Sequence, residues 1–219
     1  MEITPIAYIR NDFPTKFGIP RQSGMCSLVS RVVFTKDYAK EEAFRGLDGF
    51  DYVWLIWGFD RAEKTDALTV RPPRLGGNVR VGVFATRSPY RPNGLGLSSV
   101  KIVDKSYTQD GFVLYVSGAD MADGTPVYDV KPYLPYCDSH PDALGGFGAA
   151  HLSHRLRVEY APGVLDAFPE DKRAALTEIL ALDPRPSYQE DGREYGFAFC
   201  GKEIRFSVSD GVLTVTSVQ

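Results

Sequence analysis

The sequence predicts a mainly β protein, an antiparallel sheet or closed barrel followed by a small α+β unit. Three observations lead there. From residue 3 to about 160, short apolar and aromatic runs alternate with Gly, Pro, Asn and Asp, and little between them could form a helix. That pattern favours antiparallel pairing over a doubly wound α/β sheet. After Tyr160 one helical stripe is followed by a cleanly alternating tail. Thirteen Phe, twelve Tyr and two Trp in 219 residues supply enough bulk for packed cores, which excludes a disordered chain.

In chain order, an apolar run begins near Cys26 and ends at Val32, Val33 and Phe34. Phe50–Phe59 (FDYVWLIWGF) is strongly β-prone through its aromatic and β-branched residues. Val79–Thr86, Leu97–Val103 and Phe112–Ser117 read as further strands, and only Asp37–Leu47 in this half reads as a helix. In the second half Pro169 suits the first helical position, with Glu170 and Asp171 complementing the dipole in the first turn. Leu176, Ile179 and Leu180 form the apolar stripe, and Asp183-Pro184 ends it. Ile204, Phe206 and Val208 then alternate with Arg205 and Ser207, and Asp210-Gly211 turns the chain into Val212–Val218. The Gly-rich stretch Gly145–Gly148 is the expected seam, dividing residues 1–145 from 146–219.

Charge is unevenly distributed. The net charge is −3, yet residues 71–105 carry five Arg, two Lys and a single acidic residue, while residues 106–219 carry nine basic and seventeen acidic side chains. A generally basic nucleic-acid coat is excluded, and a local anion site is expected in the central block. The longest near-apolar stretch, Tyr52–Phe59, is far too short to cross a bilayer, and the acidic N-terminal stretch does not read as a signal peptide, so a cytoplasmic protein without membrane contact is expected. Three scattered cysteines, Cys26, Cys137 and Cys200, suit a reducing compartment better than a disulfide scaffold.

Three glycine-bearing loops combine backbone freedom with polar side chains: Phe17–Gln22, Arg71–Leu97 and Asp120–Tyr133. Arginine there offers a planar donor fork for carboxylate or phosphate. No dinucleotide fingerprint, Walker loop or GxSxG elbow is present, so a nucleotide-type ligand needs another cradle. Cys137, His140, His151 and His154 form a rival cluster. It would suit zinc or a Cys–His thiolate, but its spacing matches no strong metal pattern, and hydrogen-bonded or surface histidines are the commoner fate.

Four segments carry a resemblance: FGIPRQSG (17–24), LDGFDYVWLIWGF (47–59), RPPRLGGNVRVGVFATRSPYRPNGLGLS (71–98) and DGTPVYDVKPY (123–133). They are similar to the TrmO/TsaA-like (YaeB-like) tRNA methyltransferases, and LDPRPSY (182–188) with the sheet after it resembles that family's C-terminal unit. The resemblance spans nearly the whole chain. It implies a small β-barrel enzyme, homodimeric, that uses S-adenosylmethionine to methylate N6 of N6-threonylcarbamoyladenosine beside the anticodon of threonine tRNAs. A non-catalytic cofactor- or RNA-binding module of the same fold is the alternative, and a thiol hydrolase built on Cys137 and His140 is a third reading. No metal is implied.

By the same resemblance Pro20, Arg21 and Gln22 line the cofactor pocket, with Asp60, Arg61, Arg87, Leu97 and the loop Asp123-Gly124-Thr125-Pro126. Where family members often place His and a polar residue, this chain has Asp60-Arg61, so those contacts are expected to differ. Asp129 is a candidate for removing the N6 proton, with a structural role holding Lys131 or a turn as the equal alternative. Arg185 could meet tRNA phosphate or brace the tail. A dimer that brings two 71–105 blocks to one side would offset the acidic second half.

Overall fold

The computed structural model describes residues 2–219 apart from 64, 73, 74, 110, 152, 153 and 186–190, and describes 149–151 by backbone alone. Pro73 and Arg74 of the central block, Pro186–Tyr188 of the C-terminal motif and the His151 side chain therefore lie outside the described residues.

Six strands form a ring: β1 (Ala7–Arg10), β2 (Val29–Phe34), β3 (Tyr52–Gly58), β6 (Leu95–Thr108), β7 (Gly111–Ser117) and β8 (Pro126–Pro132). They follow the order β1-β2-β7-β6-β3-β8, all neighbours antiparallel, and β8 pairs back onto β1 through Ala7–Val127 and Tyr8–Pro126. Closure removes the exposed edges that an open sheet of this kind would carry. Alternate residues of each strand share a face, and Ala7 and Ile9, Val53, Leu55 and Trp57, and Leu114 and Val116 are buried in the ring.

The short pair β4 (Thr69–Val70) and β5 (Val81–Gly82) stands outside the ring. Here the expected strand Val79–Thr86 shrinks to two paired residues, because the chain turns at once into a 3-10 turn over Val83–Ala85. The expected helix over Asp37–Leu47 is also reduced, to 3-10 turns at Glu41–Phe44 and Leu47–Gly49. Gly46 adopts φ 89° between them, so no continuous helix can run through. The loop read as Asp120–Tyr133 is a loop only as far as Thr125; Pro126–Pro132 is the strand that closes the ring. Pro126 and Pro132 sit at its two ends, where a missing N–H is tolerated. A single helical turn, α1 (Pro135–Asp138), follows.

The second unit packs α2 (Glu170–Ala181) on β9 (Arg157–Tyr160), β10 (Glu194–Phe199), β11 (Lys202–Ser209) and β12 (Val212–Val218). The sheet order is β10-β11-β12-β9, and it is mixed: β9 runs parallel to β12 because the chain crosses over through α2 before returning. Pro169 occupies the N-cap rather than the first helical position. Leu176, Ile179 and Leu180 are buried as the stripe predicts, and Asp183 ends the helix at φ 54° just before Pro184.

The ring has its own apolar core. The second core is shared: Phe13, Cys26 and Leu28, from the segment between β1 and β2, are buried among α2 and the C-terminal strands. Polar ties reinforce that seam. Lys172 of α2 pairs with Asp12 at 2.7 Å, and Glu178 accepts from the Ser27 backbone N–H. Gly118 completes it, because its carbonyl accepts the Gly24 N–H at 2.9 Å and a Cβ there would meet the Gly24 backbone at the same distance. At φ 89° only glycine fits without strain.

Candidate functional site

The loop after β1, the loop before β6 and the start of the loop after β7 meet at one hydrogen-bonded set. Arg87 donates to Gln22 Oε1 at 2.6 Å. Beside it, Trp57 Nε1 of β3 donates to Ser98 Oγ of β6 at 2.9 Å, and Ser98 donates onward to Asp120 Oδ1 at 2.5 Å. Because indole can only donate, the Ser98 proton is directed toward Asp120. The Ser23 backbone and the charge of Arg87 also act on the Asp120 carboxyl and favour its ionised form. Burial pushes it above the usual carboxylate range, a rise that the Ser98 hydrogen bond, the backbone bonds and Arg87 only partly offset.

This set depends on local sequence. Trp57 faces Gly96 across the β3–β6 ladder, and a Cβ at Gly96 would fall on the indole ring. The glycine is the gap into which the tryptophan lies. Ser98, 1% exposed, follows two residues later on the same inward face.

A second cluster surrounds Asp123 and Gly124. Asp123 accepts from the Asn11 backbone N–H at 3.0 Å and lies 3.6 Å from Arg10. Arg61 donates to the carbonyls of Asp123 and Pro14, so the loop after β3 clamps the two others. Gly124 donates to Ile9 at 2.8 Å beneath the guanidinium groups of Arg10 and Arg61. Thr125 is buried and closes the turn back onto Ala122.

The remaining expected residues are placed apart. Pro20 and Arg21 line a groove of about 170 Å³ with Leu182, Asp183 and Pro184, and Arg21 donates to the Arg185 carbonyl at 3.0 Å. Leu97 projects from the outer face of β6, 54% exposed, opposite to Ser98. Asp60 is exposed. Asp129 Oδ2 lies 3.0 Å from Lys131 Nζ, two residues along the same strand face, which is the contact the structural reading expects. Sequence reasoning missed Asp120, Ser98 and Trp57. Asp120 opens a loop that sequence alone singled out, but only the β3–β6 register brings Ser98 and Trp57 to it.

Arg185 is 10% exposed and held by Asp183 at 2.9 and 3.0 Å and by Asp191 at 2.8 Å. That geometry is a brace. Cys137 is exposed, and slight desolvation together with the charge of Asp138 raises its thiol. Burial raises Cys26 to about 11 and Cys200 to about 12. None of the three is poised as a thiolate. Among the described residues, no group of three or more His, Cys, Asp and Glu is placed to hold a metal ion, and no helix is long and apolar enough to cross a membrane.

The tRNA-methyltransferase O N-terminal domain family matches residues 8–139, and the TrmO C-terminal domain family matches residues 154–219. The chain belongs to the TrmO family. The tRNA (adenine(37)-N6)-methyltransferase of Escherichia coli (strain K12) is 35% identical over 225 residues, covering 98% of this chain and 96% of that protein. A Pseudomonas aeruginosa protein provisionally named S-adenosylmethionine-dependent methyltransferase RcsF is 39% identical, covering 89% and 87%. The crystal structure of TrmO from Pseudomonas aeruginosa superposes with a TM-score of 0.80 at 31% identity over all of this chain and 98% of that one. The TrmO relationship thus embraces both the ring and the α2-containing unit.

Proposed function

We propose that this chain is an S-adenosylmethionine-dependent tRNA methyltransferase that methylates N6 of adenosine 37, in the N6-threonylcarbamoyl form carried by threonine tRNAs. The observation that carries the reading is the Gln22–Arg87 hydrogen bond beside Asp120, in a TrmO-family chain. It joins two loops expected to line the cofactor pocket and presents a guanidinium and a carboxylate in one place. A zwitterionic ligand complements that pair.

The residues present fit the cofactor. Arg87 would hold its carboxylate through a charge-assisted fork, Gln22 would orient that fork, and exposed Leu97 would offer apolar surface to its adenine. Pro20, Arg21, Asp60, Arg61 and the Asp123–Pro126 loop complete the proposed pocket, the last two fastened together by the Arg61 clamp. The cofactor supplies an electrophilic methyl on a sulfonium. The protein's part is alignment of that methyl with N6, so positioning carries much of the rate enhancement. In this proposal Asp129 holds Lys131 on β8, and its use as a base would require that contact to open.

The ring is proposed to act as a methyltransferase β-barrel over residues 1–145, with residues 146–219 as a separate unit locked to it through the 11–28 segment. A cytoplasmic homodimer is proposed as the working form. Phe84, Leu68, Leu97 and Val79 are exposed at 76, 70, 54 and 51%, and the central Arg-rich block lies among them, which supports a covered, phosphate-facing surface there.

Transfer of labelled methyl groups to threonine tRNA, with and without the threonylcarbamoyl group, tests the reading. Labelled N6-methylated adenosine at position 37 only in the modified tRNA is the expected product. Cofactor bound without release of S-adenosylhomocysteine would instead establish the non-catalytic module.

A further inference from the structure

We propose that Asp120 receives the cationic part of S-adenosylmethionine, making it a cofactor-binding residue beside Arg87. The inference rests on the methyltransferase reading above and adds a residue that the family motifs do not supply.

Ser98 donates to the Asp120 carboxyl, Trp57 fixes the Ser98 proton in that direction, and the Ser23 backbone lies near enough to favour the ionised form. These are neutral partners. Among the described residues, the charge acting on it from neighbouring loops is Arg87, whose guanidinium is turned to Gln22 at 2.6 Å. A carboxylate so placed is desolvated without an equal counter-charge, an arrangement that costs stability in the free protein. Its hydrogen bonds nevertheless hold it rigidly where the loops meet. A rigid anion poorly paired within its own chain is complementary to a cation from outside.

The cofactor offers two cations, the ammonium of its amino-acid end and the sulfonium. With Arg87 taking the carboxylate, Asp120 and Arg87 together form a receptor for opposite charges on one ligand.

The test is calorimetric titration of the full-length protein and of Asp120→Asn with S-adenosylmethionine and S-adenosylhomocysteine between pH 4.5 and 8, with thermal melting of each ligand-free protein. Native affinity is expected to fall as pH falls through the raised Asp120 titration, because only the ionised carboxyl attracts a cation. Asp120→Asn should bind about ten- to a hundredfold more weakly at pH 8, without that pH dependence, while its ligand-free melting temperature holds or rises. S-adenosylhomocysteine weakened in parallel identifies the ammonium as partner; S-adenosylhomocysteine spared identifies the sulfonium. A second variant, Ser98→Ala, keeps the charge but removes the hydrogen bond that offsets burial, so it should move the affinity midpoint to higher pH. Native-like affinity and pH dependence in Asp120→Asn overturn the inference and leave the methyltransferase reading intact. Failure of the native protein to bind the cofactor overturns both.

Discussion

Arg87 Nη1 lies 2.6 Å from Gln22 Oε1, a hydrogen bond that joins positions 65 residues apart in the chain. Arg87 is exposed and Gln22 half-buried, and neither belongs to an apolar core, so the bond organises two loops. Arg87→Ala should therefore leave folding intact and weaken S-adenosylmethionine binding about ten- to a hundredfold, the range for loss of a charge-assisted contact. Gln22→Ala removes a neutral group that orients the guanidinium, and a loss of roughly tenfold or less is expected. Titration calorimetry with the cofactor distinguishes these effects, and an unchanged affinity in Arg87→Ala would remove Arg87 from the pocket.

Gly96 sits under Trp57, and a Cβ there would fall on the indole ring. Gly96→Ala must displace the tryptophan, and with it the Nε1 donor that fixes the Ser98 proton. A loss of about 2 kcal/mol in urea unfolding is expected from overpacking, with a shift in tryptophan fluorescence. Wild-type stability and fluorescence would mean that the strand simply slides outward.

Much of the fold was legible because period-two patterning is a strong local signal. Ile204–Val208 alternates in sequence and faces its core as that alternation predicts, while Tyr52–Gly58 was readable from its aromatic and β-branched residues. Asp37–Leu47 misled because acidic and apolar residues sit at helical spacing there, while the left-handed Gly46 breaks the run. β8 was hidden behind its prolines, and parallel β9 by its dependence on a distant partner. Gln22 and Arg87 lie on glycine-bearing loops that the sequence singled out, and the fold brings the two into one hydrogen bond. The surroundings of Asp120 were not legible, since Ser98 and Trp57 reach it from two other strands through the β3–β6 register.

The thiols answer a chemical question that the sequence left open. Cys26 is raised to about 11 and Cys200 to about 12 by burial, the latter also by Asp12, so both stay protonated at neutral pH. Iodoacetamide at pH 7 should label both slowly in the folded protein and rapidly after unfolding. Cys137 is exposed but also raised, so Cys137→Ser should retain methyl transfer within about twofold. Loss of activity in that variant would bring back the thiol chemistry that its neighbour His140 suggested.

Arg185 decides between a phosphate contact and a brace, and the structure supports the brace. Its guanidinium is turned inward onto Asp183 and Asp191, while its own carbonyl accepts from Arg21 of the 17–24 loop. Burial alone would push Asp183 up, but the hydrogen bonds and charge of Arg185 reverse that and hold it below the usual carboxylate range. Arg185 in turn is shifted upward by those same bonds to Asp183, which outweigh its own desolvation. For a carboxylate depressed in this way, stability is present above the unfolded titration near pH 4 and is lost as pH falls through the lower folded value. Arg185→Ala leaves half-buried Asp183 with only the residue-185 backbone N–H and His154, 3.7 Å away, so a loss of about 2 kcal/mol at pH 7 is expected, with less further loss on acidification than in the native protein. Urea unfolding from pH 2.5 to 7 measures both effects. Unchanged stability, together with tRNA binding that loses about one unit of its logarithmic salt slope, would return Arg185 to the tRNA interface.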